Sequence, residues 1–213
     1  GLARRPAGPL MAGGFLFVVG PSGAGKDSLI AYARGALADS RDILFPRRVV
    51  TRTSSEFEDH DSLDETSSRA AEEEGRFALS WRAHGLGYGI PKSALDEVRR
   101  GCVAVCNVSR RVVPWSRIHL PNVAVVEVTA PVDVLAARLA GRARLEDGDL
   151  VARLKRSLEV WTPVDASIVN DRTIDEAGRE LVALIVRHRD ALSERDFPEE
   201  DRLVPRFGWE ELS

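Results

Sequence analysis

Short apolar runs, separated by stretches of helical periodicity, give the chain its organisation. The runs lie at residues 15–19, 46–50, 102–108, 123–128 and 166–170, and each has the length of a strand buried on both faces. The stretches between them repeat apolar residues every three to four positions, as amphipathic helices do. Strands that alternate with helices predict a three-layer α/β fold with a mostly parallel sheet of about five strands.

The segment at residues 76–91 departs from this alternation. Phe77, Leu79 and Trp81 recur at every second position, which predicts a short strand, and the glycines of residues 85–89 predict a turn into another strand. Pro91 suits the first turn of a helix that extends to about residue 100. We interpret this aromatic and basic insertion as a subdomain for an acceptor substrate; the alternative is a small hydrophobic cluster beneath a loop.

Three segments lack the pattern of a packed core. Residues 54–76 are charged and poor in apolar residues, which predicts a solvated, mobile segment and no acidic binding site. Residues 1–12 are expected to be a disordered extension, either an expression remnant or an upstream segment before a start at Met11. Residues 193–213 form a charged tail to which we assign no function. A single domain is therefore expected at residues 13–192, with the insertion at about 52–100.

A glycine-rich turn follows the first predicted strand and leads into a helix. Its sequence is G-P-S-G-A-G-K, from Gly20 to Lys26. Backbone N–H groups of such a turn converge on an anion, and the helix N-terminus and the lysine ammonium add positive charge. This pattern predicts a loop that binds a nucleoside triphosphate; the alternative is a glycine-rich turn with an incidental lysine. The predicted nucleotide-binding residues are Gly20, Pro21, Ser22, Gly23, Ala24, Gly25, Lys26, Asp27 and Ser28.

Asp27 occupies a position where such loops normally have serine or threonine. A carboxylate beside a polyphosphate is repelled unless a cation lies between them. We therefore interpret Asp27 as a ligand of Mg²⁺, direct or through water. The alternative is an acidic residue in the first helical turn, where the helix dipole stabilises it.

Basic residues cluster after the fourth predicted strand. Arg138 and Arg142 lie four residues apart on one helical face, and a second basic stretch begins at Arg153. Two basic helices joined by a short polar loop predict a lid, at about residues 138–156, that closes over a triphosphate. The alternative is a pair of exposed helices whose arginines are neutralised by the acidic residues at 146–149.

Composition narrows the choice of partners. The net charge of −3 gives no general attraction to nucleic acid or to an anionic membrane, and no apolar run approaches the roughly 18 residues of a membrane span. Cys102 and Cys106 are expected to be core residues because no further cysteine or nearby histidine completes a metal site. A reducing compartment, the cytoplasm, is therefore expected. The oligomeric state is left open, with a homodimer allowed for.

Several motifs resemble the guanylate-kinase branch of the nucleoside-monophosphate kinases, from about residue 15 to 192. The loop at 20–26 is similar to that of the branch, V-V-T-R at 49–52 to its acceptor-phosphate segment, and I-V-N-D at 168–171 to its last strand. R-L-A-G-R at 138–142 resembles its arginine lid. The resemblance implies a P-loop kinase fold with an acceptor-binding insertion and an arginine lid.

Two departures argue against guanylate kinase itself. Ser80 stands where that family uses a glutamate on the guanine edge, and a single hydroxyl cannot accept from two adjacent N–H donors as a carboxylate does. An acidic segment from Ser54 replaces the tyrosine- and glycine-rich stretch after the acceptor arginine. The chain keeps the motifs that bind phosphate in that family but lacks the residues that recognise guanine. This combination implies an acceptor that has a phosphate but no purine.

The combination of G-K-D-S with W-R-A-H-G-L-G-Y-G-I-P resembles the ribose 1,5-bisphosphate phosphokinases of phosphonate catabolism. That family transfers the γ-phosphoryl group of ATP to the 1-phosphate of ribose 1,5-bisphosphate, giving 5-phosphoribosyl 1-diphosphate. The resemblance implies ATP, Mg²⁺ and a phosphorylated ribose as ligands. It implies catalytic roles for Lys26, Arg138, Arg142 and Arg153, and acceptor-binding roles for Arg52, Ser80, Arg82, His84 and Tyr88.

Three alternatives stay open at this point. The chain could be a guanylate kinase with an altered base pocket, or another small P-loop kinase of sugars or metabolites. A guanylate-kinase fold can also serve as a non-catalytic binding module. Lys26, Asp27 and the lid arginines argue against the module, because a protein that only binds a partner does not need a triphosphate cradle.

Overall fold

A parallel sheet with the first strand at its centre forms the middle layer of the protein. The computed structural model describes residues 12–51, 60–83, 85–140 and 162–194. The strands are β1 (Gly14–Val19), β2 (Ile43–Leu44), β3 (Arg48–Val50), β4 (His60–Ser62), β5 (Phe77–Ala83), β6 (Leu86–Pro91), β7 (Val103–Asn107), β8 (Val123–Thr129) and β9 (Ala166–Val169). The order β2-β7-β1-β8-β9 is parallel throughout, which confirms the predicted five-stranded sheet.

Helices cover both faces of this sheet. They are α1 (Lys26–Ala36), α2 (Glu65–Glu73), α3 (Lys92–Arg99), α4 (Val113–His119), α5 (Val132–Ala140) and α6 (Ile174–Ser193). Leu16 and Val18 point to the layer that contains α1, α5 and α6, whereas Phe15 and Phe17 point to the layer of α3 and α4. Every residue of β1 is buried, as its continuous apolar run predicted.

The predicted second strand of this sheet, at residues 46–50, is wrong. Ile43 and Leu44 form that strand and pair with Val103 and Ala104 of β7. Pro46, which has no N–H to donate, lies between β2 and β3, and β3 joins a different sheet. A strand of two residues is too short for its period to appear in the sequence.

The second sheet is built mainly from the predicted insertion. Its order is β4-β3-β6-β5, with antiparallel pairing of β5 with β6 and of β3 with β6, and parallel pairing of β3 with β4. Ile90 and Leu79 of this sheet join the same hydrophobic core as Phe15 and Phe17. The aromatic hairpin is therefore an integral part of the fold.

The expectation of a mobile segment at 54–76 is wrong for its second half. Asp64 caps α2 by accepting a hydrogen bond from the Ser67 N–H at 2.8 Å, and Ser68 and Ala71 are buried. The buried side of this helix carries small residues, so the sequence offered no apolar stripe to reveal it. Residues 52–59 lie outside the described part.

Several predictions fall on residues that the structure does not describe. They concern the N-terminal extension before residue 12, the predicted lid from residue 141 onward and the tail after residue 194. Within the described ranges, none of the helices combines the length and apolar character that crossing a bilayer requires.

The last helix begins with the predicted capping box. The Glu176 N–H donates to Thr173 Oγ1 at 3.3 Å, and the Thr173 N–H donates to Glu176 Oε2 at 3.1 Å. Together they satisfy two N–H groups that the helix itself cannot. The Thr173 hydroxyl also donates to Glu176 Oε2, and this bond, together with the one from the Thr173 N–H, holds the pKa of Glu176 below its ordinary value.

Thr173→Ala should lower the free energy of unfolding by about 1 kcal/mol at pH 7, because it removes the side-chain oxygen of the cap. Thr173→Ser keeps that oxygen and should stay close to the wild type. A carboxyl whose pKa is depressed on folding stabilises the protein above its unfolded pKa and loses that contribution as the pH falls through its folded pKa. The difference in free energy of unfolding between the two variants should therefore become smaller at acidic pH. Urea unfolding at several pH values measures it, and equal stability of the variants at pH 7 would contradict the prediction.

Candidate active site

The glycine-rich loop lies at the carboxyl end of β1, between β1 and α1. Gly20, Gly23 and Gly25 have φ values of 141°, 82° and 88°, which L side chains rarely adopt. A Cβ on Gly20 would lie 2.0 Å from the Val128 carbonyl oxygen, and one on Gly25 would lie 2.4 Å from the Asn170 amide nitrogen. Both the backbone conformation and the close neighbours therefore require glycine.

The start of α1 directs positive charge into this loop. Gly25 is the N-cap residue and no side chain caps the helix, so no side-chain acceptor competes for its first N–H groups. Lys26 Nζ donates to the carbonyl oxygens of Gly20 and Pro21, at 2.8 and 2.9 Å. The ammonium group is thus held across the loop, where it and the helix N-terminus can bind an anion together.

Asn170 fixes the position of the loop relative to the sheet. It follows β9, is 5% exposed, and its Nδ2 donates to the Ala24 carbonyl at 2.8 Å. Its own N–H donates to the Thr129 carbonyl at 2.7 Å. The sequence analysis placed this residue only at the end of the last strand; an asparagine directly after a buried strand was the available signal.

Asp27 lies in the first turn of α1 with its side chain 42% exposed. Its Oδ1 accepts from Asn107 Nδ2 at 2.7 Å, and Arg48 Nη2 lies 3.9 Å from the same oxygen. Asn107 ends β7, so the two residues meet because parallel strands end at one edge.

The donor set at Asp27 fits a magnesium ion that is bound mainly through a nucleotide. Mg²⁺ is typically held by one or two carboxylates, several waters and the substrate phosphates. Asp27 supplies one carboxylate beside the phosphate loop. In the described ranges there is no group of three or more His, Cys, Asp or Glu that could hold a metal without a ligand.

An aromatic pair marks the face of the second sheet that adjoins Asp27. Tyr88 pairs with Trp81 across the β5–β6 hairpin, and their rings stack with centroids 5.3 Å apart and planes at 6°. The Arg48 guanidinium carbon lies 5.7 Å from the Tyr88 ring centroid. Arg48, which the sequence analysis missed, therefore contacts both Tyr88 and Asp27.

Ser80 and Arg82 lie on the opposite face of this sheet. Successive strand residues point to opposite faces, so both point away from the side of Trp81. Arg82 Nη1 lies 2.5 Å from Glu65 Oε1 and its Nη2 3.7 Å from Glu72 Oε2, both on α2. Its hydrogen bond to Glu65 is the largest cause of the lowered pKa of that carboxyl. The structure does not bring Ser80 and Arg82 together with Tyr88, and their acceptor-binding roles stay predictions.

Helix α5 packs against the loop and carries one predicted lid arginine. A Cβ on Gly23 would lie 3.3 Å from the Leu135 carbonyl oxygen and 3.2 Å from the Leu139 side chain. Arg138 shares that helical face, and its Nη1 is buried without a hydrogen-bond partner among the described residues. A buried cationic donor beside a phosphate loop suits an anionic ligand. The predicted residues Arg52, His84, Arg142 and Arg153 lie outside the described residues.

Comparison with known proteins gives relatives over most of the chain. It is 51% identical over 173 residues to the ribose 1,5-bisphosphate phosphokinase PhnN of Methylobacterium radiotolerans, covering 81% of this chain and 97% of the relative. It is 45% identical over 185 residues to the protein of the same name from Bradyrhizobium diazoefficiens, covering 86% and 93%. No family model matches the chain.

Among solved structures, the guanylate kinase from Anaplasma phagocytophilum has a similar fold. The TM-score is 0.63 and the likeness covers 87% of this chain and 89% of that one. At 18% sequence identity it confirms the fold class predicted from the sequence and nothing about the substrate.

Asn170→Ala should both destabilise the protein and weaken binding of Mg–ATP. The change leaves the Ala24 carbonyl without its buried donor, at a cost of about 1–3 kcal/mol, and releases the loop from β9. Asn122→Gly is the matched control, because Asn122 Nδ2 donates to the Gly13 carbonyl at 2.8 Å just before β1, at the opposite end of the strand from the loop, and glycine tolerates its φ of 46°. Urea unfolding and calorimetric titration with Mg–ATP measure the two effects. Equal ATP affinities in the two variants would contradict a role of Asn170 in shaping the loop.

Proposed function

Because the chain belongs to the family of ribose 1,5-bisphosphate phosphokinases, we propose that it transfers the γ-phosphoryl group of ATP to the 1-phosphate of ribose 1,5-bisphosphate. The products are 5-phosphoribosyl 1-diphosphate and ADP, in phosphonate catabolism. The observation that carries the proposal is the phosphate loop with Lys26 and Asp27, beside the face of the second sheet that bears Arg48 and Tyr88. Two free cysteines support a reducing compartment, the cytoplasm.

The reaction forms a bond from an oxygen of the 1-phosphate to the γ-phosphorus and breaks the bond from that phosphorus to the β–γ bridging oxygen. The accepting oxygen needs no general base, because the second pKa of a phosphate monoester is about 6 and the group is largely ionised at neutral pH. Catalysis then consists of positioning and of neutralising charge. Such a site requires several cationic groups. It does not require a general acid and a general base.

The donor side of the site is assigned to the loop and to α5. The backbone N–H groups within residues 22–26 would bind the β- and γ-phosphates, and Lys26 Nζ would exchange its two carbonyl partners for phosphate oxygens. Arg138, together with the lid residues Arg142 and Arg153, would neutralise the transferring group and exclude water. A magnesium ion held by Asp27 would neutralise the charge that develops on the phosphates.

The acceptor side is assigned to the second sheet. Arg52 and Tyr88 would hold an acceptor phosphate, with Ser80, Arg82 and His84 as further candidates. Guanylate kinase is not favoured as an alternative, because the likeness to its solved structure is one of fold and Ser80 cannot replace the carboxylate that reads guanine. The long match to the phosphokinase relatives likewise does not favour a non-catalytic module.

Lys26→Ala should lower turnover by at least about 10²–10³-fold, since one preorganised donor to developing charge contributes that much. Lys92→Ala is the matched control: Lys92 is also the first residue of a helix, α3, and is exposed. Both variants should keep the wild-type melting temperature within a few degrees. Wild-type turnover in Lys26→Ala would refute the assignment of the loop.

An acceptor screen tests the substrate. With ATP and Mg²⁺, ribose 1,5-bisphosphate should be phosphorylated, whereas GMP, AMP and ribose 5-phosphate should give no product above background. GMP is expected to fail because Ser80, whose single hydroxyl cannot accept from two adjacent N–H donors, stands where guanylate kinases read guanine with a carboxylate. Chromatography detects each product directly. Phosphorylation of GMP would contradict the proposed substrate and indicate guanylate kinase activity.

A further inference from the structure

Arg48 opens β3 and has neighbours from two different parts of the site. Strand pairing places Val50 opposite Tyr88, and Arg48 shares the face of Val50 because it lies two residues away. Its guanidinium carbon is 5.7 Å from the Tyr88 ring centroid, and its Nη2 is 3.9 Å from Asp27 Oδ1. The guanidinium therefore lies where the second sheet adjoins the first turn of α1.

The contact between Arg48 and Asp27 is long for an ion pair. A charge-assisted hydrogen bond between nitrogen and a carboxylate is about 2.7–2.9 Å, and Asp27 Oδ1 already accepts at 2.7 Å from Asn107. The Arg48 side chain is only 14% exposed, so its charge is partly removed from water. A guanidinium offers five N–H donors in a planar fork that matches the oxygens of a phosphate.

The residue that precedes β3 is also an arginine and offers a comparison with Arg48. Arg47 is 54% exposed and its Nε lies 3.4 Å from Asp61 Oδ1. Asp61 of β4 pairs with Val49, which points to the opposite face from Arg48, so the contact with Asp61 places the Arg47 side chain on the face away from Tyr88. Two adjacent arginines thus differ in burial, in partner and in direction, and only the orientation of Arg48 brings it to Asp27.

We propose that Arg48 binds the accepting phosphate of the sugar, the one that receives the γ-phosphoryl group; the inference rests on the proposed function. The accepting oxygen must come within about 3–3.5 Å of the γ-phosphorus. Asp27 directly follows Lys26, which is assigned to the donor phosphates, so a phosphate that Arg48 binds beside Asp27 is next to the donor. The other phosphate of the substrate, on the far side of the ribose ring, lies too far away for the same contact.

Charge balance supports this assignment. In the structure the Asp27 carboxylate, 3.9 Å from Arg48 Nη2, offsets part of the charge of Arg48. Once Asp27 binds a divalent cation, Arg48 and that cation repel each other unless an anion lies between them. A phosphate with close to two negative charges at neutral pH is such an anion.

The test compares Arg48→Ala and Arg48→Lys with Arg47→Ala as the matched control. Calorimetric titration in the presence of Mg–ADP, which fills the donor site without turnover, measures the affinities of ribose 1,5-bisphosphate, ribose 1-phosphate and ribose 5-phosphate. Arg48→Ala should bind ribose 1,5-bisphosphate about ten- to hundredfold more weakly, the worth of a hydrogen-bonded charge. The advantage of the bisphosphate over ribose 5-phosphate should collapse, and its advantage over ribose 1-phosphate should remain.

Further readouts separate a contact with substrate from a structural role. Arg48→Lys keeps the charge but loses the planar fork of donors, so its affinity for ribose 1,5-bisphosphate should lie between those of the wild type and Arg48→Ala. If Arg48→Ala does not fold, Arg48→Lys provides the test. Arg48→Ala should bind Mg–ADP at least as tightly as the wild type, because it removes a positive charge beside Asp27. Arg47→Ala should match the wild type throughout. In turnover, Arg48→Ala should raise the KM for ribose 1,5-bisphosphate.

The remaining outcomes overturn the proposal in distinguishable ways. If Arg48→Ala and Arg48→Lys bind the bisphosphate within twofold of the wild type, Arg48 does not bind the acceptor, while the proposed function stands. A loss of the advantage over ribose 1-phosphate instead would place Arg48 at the other phosphate. If the wild type binds Mg–ADP but neither binds nor phosphorylates ribose 1,5-bisphosphate, the proposed function fails, and the role of Arg48 fails with it.

Discussion

The close approach of the loop after β1 to the ends of the neighbouring strands is the constraint on which the site depends. Gly20 has no room for a Cβ beside the Val128 carbonyl of β8, and Gly25 has none beside the Asn170 amide after β9. Parallel strands end at one edge, so the sheet itself fixes both neighbours. The loop is therefore shaped by backbone and amide groups of the sheet.

The same edge explains how a protein with a net charge of −3 can bind two polyanions. Lys26 comes from the loop, Arg48 lies beside Asp27 in the first turn of α1, and Arg138 belongs to α5, the helix that packs against the loop. Arg82 differs, because Glu65 and Glu72 of α2 neutralise it on the far face. The location of the cations, which the net charge does not reveal, governs the attraction of a phosphate.

Periodicity in the sequence predicted the strands that both helical layers bury, and it failed where that signal is absent. The runs of β1 and β7 are continuous because neither face meets water. The edge strand β9 has a similar apolar run but exposes Ser167 and Val169, so its run did not mark burial on both faces. Strand β2 consists of two residues and has no period to detect. Helix α2 buries Ser68 and Ala71, which are too small and too polar to form an apolar stripe, so its charged residues dominated the pattern.

The site divides in the same way, between a motif that is local in the sequence and contacts that join distant elements. Residues 20–28 could be assigned from the sequence because consecutive backbone groups bind the phosphates. The contact of Asn107 with Asp27 joins residues 80 apart, and that of Arg48 with Tyr88 depends on strand register. Alternation along β5 could have separated Arg82 from Trp81, since neighbours in a strand cannot share a face. A local motif in the sequence is thus sufficient to identify the donor loop. The acceptor site depends on how the second sheet packs beside that loop, which no local motif encodes.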